Sequence, residues 1–168
     1  MSKNKIVKDS YFSITLTLLL ILTYPYLKID GLTSGCKNKF YDTLVNKFHH
    51  ANISHLCLDI VNILFLYERG ILTNTKGVII FFVSLFLVTM FETLLSNIFP
   101  TIICSSGLFS VFIAIGAFDT LKSVQNTYII SGLFIIGSVI SNIIQEQNFT
   151  YLGYFIGVFV GLLLCLTC

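Results

Sequence analysis

Six apolar runs, each cut short by a polar or proline-bearing stretch, dictate what this chain can fold into. They extend from about Tyr11 to Leu27, Ser54 to Leu66, Val78 to Ile98, Ser106 to Phe118, Thr127 to Ile144 and Leu152 to Leu166. A helix that crosses a bilayer needs roughly 20 apolar residues. Charged residues make up 11% of the 168 and hydrophobic ones 55%, where a soluble domain carries about 25% charge. So little charge cannot clothe a water-facing surface. The expectation is one domain, residues 1–168, an all-α polytopic membrane bundle with lipid as its constant partner. A net charge of +2 gives no reason to expect nucleic acid.

The ends and loops are read next. Lys3, Lys5 and Lys8 precede the first run. No small-residue cleavage site follows, and the run closes on Tyr24-Pro25-Tyr26, so a retained helix with an interfacial aromatic end is expected rather than a signal peptide. The connection Lys28 to Lys47 is long for a bundle, and partial folding is expected there. With the N-terminus in the cytosol, Lys3, Lys5, Lys8, Arg69, Lys76 and Lys122 lie inside, and Lys28, Lys37, Lys39 and Lys47 lie outside. The five cysteines, Cys36, Cys57, Cys104, Cys165 and Cys168, show no zinc spacing with histidine, so neither a metal nor a cofactor is expected. Cys165 and Cys168 close the last run as weak palmitoylation candidates.

Two polar interruptions stand out. The first is Cys104-Ser105-Ser106-Gly107, at the head of the fourth run. From Ser106 to Phe118 a helix covers about 20 Å, less than a hydrocarbon core of roughly 30 Å. Pro100 discourages a continuous helix before it. The chain is expected to enter as irregular backbone and to start this helix inside the bundle, its free N–H groups beside Ser106. Those groups suit a developing oxyanion. The alternative is an ordinary spanning helix from Pro100 to Asp119 with polar packing residues.

The second interruption is a stripe. His55, Asp59 and Asn62 fall at i, i+4 and i+7, on one helical face, with His50 shortly before. Such a face must turn towards protein or water. It serves catalysis or merely a His–Asp bond that ties helices together. Glu92 is a further intramembrane acid, with no partner evident in the sequence. The last run holds Gly153, Gly157 and Gly161, a doubled G-x-x-x-G that lets a neighbouring helix approach closely. The short fourth helix with Gly107 is the natural neighbour.

Taken in order, these pieces resemble the rhomboid superfamily of intramembrane serine proteases. His50-Ala51-Asn52-Ile53-Ser54-His55 with Asp59 looks like the second-helix pattern H-x-x-x-x-H-x-x-x-N, and Phe48-His49-His50-Ala51 is similar to the eukaryotic endomembrane branch. Tyr67 to Gly77 looks like the segment that follows, with Asn74 near its glutamate position. Cys104-Ser105-Ser106-Gly107 looks like G-x-S-G. The resemblance implies a six-helix fold, Ser106 as nucleophile, His55 at the oxyanion position and Asp59 where the family has asparagine. It also implies an endoplasmic-reticulum or other endomembrane location and transmembrane segments of other proteins as partners.

The departures decide what chemistry remains. The family's last-helix histidine falls at Thr150, counted back from Gly153, or at Tyr151, aligned on Leu152-Gly153. The chain holds no histidine after His55. A serine hydroxyl is a poor nucleophile until a base takes its proton. Tyrosine titrates near about 10 and threonine does not titrate. Losing a triad base reduces turnover on the order of a million-fold. The expected function is therefore a pseudoprotease that binds client transmembrane helices. The alternatives are an active serine endopeptidase with His55 or His50 as displaced base, and an ion or proton path along the His55–Asp59 stripe.

Overall fold

A computed structural model describes residues 10–25, 40–50, 53–98, 108–122 and 151–167. All elements among the described residues are helices: α1 (Tyr11–Thr23), α2 (Phe40–Asn46), α3 (Ile53–Glu68), α4 (Thr75–Ile98), α5 (Phe109–Lys122) and α6 (Tyr151–Thr167). The all-α expectation holds. Five of the six apolar runs fall on helices, and the run Thr127 to Ile144 lies outside the described residues. The long first connection is partly folded, as α2.

Local chemistry sets the boundaries. α1 stops at Thr23, four residues short of its apolar run, because Pro25 cannot continue the ladder. α3 closes on a Schellman motif. The Ile71 N–H reaches the Leu66 carbonyl at 2.9 Å and the Gly70 N–H reaches Tyr67 at 2.8 Å, with Gly70 at φ 73°. Asn74 then caps α4: its Oδ1 accepts the Gly77 N–H at 2.8 Å and its Nδ2 donates to the Gly70 carbonyl at 3.0 Å. A Cβ at Gly77 would stand 1.5 Å from the Ile71 carbonyl oxygen, so only glycine lets α4 leave this turn so closely. Ser106, where the fourth helix is expected to start, lies outside the described residues. Leu108 accepts from the Val111 N–H at 2.9 Å and the Phe112 N–H at 3.0 Å, and α5 is described from Phe109.

Only one helix among the described residues is long and apolar enough to cross a membrane by itself, Thr75–Leu95 within α4, with a mean hydropathy of 2.5. α1, α3, α5 and α6 have 13, 16, 14 and 17 residues, or about 20–26 Å each. α1 is the shortest of these four, and α5 is short as expected.

The core is built round α5. Residues Leu108 to Ile115 are all buried, as is Phe118. Its largest interface is with α6, and it also meets α4 and α3. Glycines make the α5–α6 approach possible. A Cβ at Gly157 would sit 2.5 Å from the Ser110 carbonyl oxygen, and one at Gly161 would sit 2.6 Å from both the Ala114 oxygen and the Ala117 Cβ. The small-residue stripe thus packs on the short helix, as its spacing predicts. α1 is the opposite case. Ser13, Leu16 and Leu20 are buried, on the helix that meets α3, while Ile14, Leu18, Ile21 and Leu22 are exposed. Phe12 pins α1 to α4 by edge contacts to Phe81 and Phe82, at centroid distances of 5.4 and 5.8 Å.

Candidate functional site

The turn that leaves α2 builds two buried polar clusters. The N–H groups of Lys47, Phe48 and His49 bond three residues back, to Leu44, Val45 and Asn46, at 3.2, 3.0 and 3.2 Å. This tight winding buries the side chains of Lys47 and His50, three residues apart, and leaves His49 between them half-buried.

The first cluster is the predicted one. α3 buries His55, Asp59 and Asn62 on one face, as their spacing requires. His50 Nε2 lies 3.1 Å from Asp59 Oδ2, with both side chains fully buried. An ionised carboxylate only accepts, so Nε2 carries the proton in this bond. The His50 and His55 rings meet edge-on at 5.5 Å, and Tyr24 meets His50 at 6.3 Å. The Asp59 carboxylate therefore orients one imidazole, and a second imidazole stacks against it. Such a pair can hold a proton or fix the α2–α3 turn.

The second cluster is missing from the sequence reading. Lys47, assigned there to an outside loop, is buried and donates from Nζ to Glu92 of α4 and, at 3.1 Å, to Ser110 Oγ of α5. Glu92 therefore does have a partner. The signal was available: an acid within an apolar run calls for a cation, and Lys47 closes the only lysine-bearing loop on its expected side. At the other end of α5, Arg69 Nη2 reaches Asp119 Oδ2 at 2.7 Å, both about one-quarter exposed, tying the end of α3 to that of α5.

The remaining site expectations divide in two. Cys104, Ser105, Ser106, Gly107 and Thr150 lie outside the described residues. Tyr151 opens α6, Gly153 is buried on it, and Gly157 faces Ser110. Cys165 donates from Sγ to the Phe118 carbonyl at 3.5 Å. Cys57 is exposed on α3. Among the described residues, no group of three or more His, Cys, Asp or Glu side chains is placed to hold a metal ion. No protein-family model, curated protein or solved structure matches the chain.

Proposed function

We propose that this chain is a rhomboid-like, multi-pass membrane protein that binds transmembrane helices of client proteins and has lost protease activity. The observation that carries the reading is the makeup of α6. It seats Gly157 and Gly161 on α5, the helix just after Ser106, yet brings no imidazole, and its first residue is Tyr151. The buried His50–Asp59 pair and the Gly70–Asn74–Gly77 turn support the ordered likeness.

A place for a client helix is suggested by an apolar groove of about 410 Å³ between α4 and α6. Phe91, Leu94, Ile98, Phe155 and Phe159 line it, and Phe155 is 72% exposed. In lipid, association rests on close packing rather than on the hydrophobic effect. A groove that another helix fills side by side meets that requirement.

A fluorophosphonate probe tests the inactivity. The expected result is no labelling of the full chain in native membranes. Labelling that disappears in Ser106→Ala would overturn it. A photo-crosslinking amino acid at position 155 tests the binding: adducts with single-span proteins are expected, and adducts with lipid alone would refute it. The second reading, a serine endopeptidase with His50 as displaced base, draws on the Asp59 bond, an arrangement that orients a general base. Among the described residues, no hydroxyl lies within bonding reach of His50 Nδ1.

A further inference from the structure

Asn62 is the polar residue of the α3 face that neither cluster uses. It is 1% exposed, and both Oδ1 and Nδ2 of its carboxamide are without a hydrogen-bond partner. Turning the amide over changes nothing, since both ends are empty. On the same face, Asp59 Oδ1 also lacks a partner, although Asp59 Oδ2 is held by His50 Nε2. Three buried polar atoms at neighbouring positions of one helical face thus lack a partner among the described residues. Buried polar groups are bonded in the great majority of cases, and exceptions point to a bound water or ion. A dry carboxamide in an apolar bundle is strongly unfavourable.

The chemistry of these three atoms selects the ligand. Asn62 Nδ2 donates only. Asp59 Oδ1, as a carboxylate oxygen, and Asn62 Oδ1 accept only. A cation would serve the acceptors and oppose the amide protons. An anion would oppose the Asp59 carboxylate. A ligand that both donates and accepts serves Asp59 Oδ1 and the Asn62 carboxamide together, and the smallest is water. The spacing fits as well. Side chains three apart on a helix have Cβ atoms about 5–6 Å apart, which one water bridges with two ordinary hydrogen bonds. A buried water typically makes about three such bonds.

We propose that the α3 face encloses a bound-water site, with Asp59 Oδ1 and the Asn62 carboxamide as its anchors. The site gives the His50–Asp59 pair a proton-exchange partner inside the bundle. It does not depend on the chain's being a pseudoprotease, and its test reads neither labelling nor client binding.

X-ray hydroxyl-radical footprinting of the full chain in micelles provides the test. Radicals formed from a bound water modify side chains around it even where bulk solvent is excluded. Oxidation is expected at Ile63, which is fully buried beside Asn62. It should fall several-fold in Asn62→Leu, which keeps the branched heavy-atom skeleton but cannot bond to water, and persist in Asn62→Ser. Absence of Ile63 oxidation in the wild type, or equal oxidation in Asn62→Leu, overturns the proposal. Thermal unfolding supplies a second readout. A lower midpoint for Asn62→Leu is expected, because the water loses its amide partners. A higher midpoint means that the carboxamide was dry and refutes the site. Exchanging sodium for N-methylglucamine should leave the wild-type midpoint unchanged, and a fall would replace water by a cation.

Discussion

The two buried polar clusters begin three residues apart on one turn, yet they are built from opposite materials. Lys47 crosses to α4 and α5, joining three elements through a full ion pair and a serine hydroxyl. His50 reaches Asp59 on the adjacent helix, and an imidazole need not be charged to make that bond. The first cluster places two formal charges in a low-dielectric interior, with side chains only 2% and 5% exposed. The second leaves several polar atoms unsatisfied. Charge separation makes the first a sensitive tie between helices. The polar vacancy of the second gives it chemical scope.

The sharpest way to break this contrast is to remove one charge. Glu92→Leu leaves a buried ammonium without its carboxylate and is expected to destabilise the bundle by about 3–5 kcal/mol. The double variant Lys47→Met/Glu92→Leu should recover most of that loss, since apolar replacement of a buried pair is often neutral. Unfolding in mixed micelles measures both. If the single and double variants are equally unstable, the pair is not the tie described here.

Asp59→Leu is the matched change in the second cluster. It removes a hydrogen bond to a charged group, so a loss of about 1.5–3 kcal/mol is expected, smaller than for Glu92→Leu on the same assay. A larger loss would reverse the ranking and place the main charge interaction at His50.

Gly157→Ala separates the clusters by position. The added methyl would meet the Ser110 carbonyl at 2.5 Å, and overpacking of this kind costs about 1–3 kcal/mol. Ser110 belongs to the Lys47 cluster, so this change should be non-additive with Glu92→Leu and additive with Asp59→Leu. Additivity with both would show that α6 presses on α5 without affecting the ion pair.

This difference also explains what the sequence could and could not disclose. His55, Asp59 and Asn62 sit on one helix, so helical periodicity alone places them on one face. Gly157 and Gly161 declare a close neighbour in the same way, and Pro25, Gly70 and Asn74 mark helix ends by their local chemistry. Lys47, Glu92 and Ser110 come from three elements separated by 45 and 63 residues from the lysine. No period links them. The orientation count treats every loop lysine as water-exposed, which hid Lys47 from view. Which hydroxyl meets which base depends on tertiary placement, which local pattern does not encode.

The smallest expected effect lies between the clusters, at His49, on the strip from Lys47 to His50 that both share. Partial burial and, secondarily, the neighbouring His50 hold its pKa below the ordinary value, about 6.5. The sign follows from linkage. As pH falls below about 6.5, the unfolded chain binds the proton before the folded one does, so stability drops. Above that pH the contribution is fully present. Below the folded pKa both states are protonated and the loss levels off. Partial exposure screens the effect, so the slope should be well under one proton's worth. His49→Asn should flatten the decline in unfolding midpoint between pH 7.5 and 5.5, whereas Glu92→Leu should leave the difference between His49→Asn and wild type unchanged. An identical decline in wild type and His49→Asn would mean that the strip's acid sensitivity resides within the clusters and not between them.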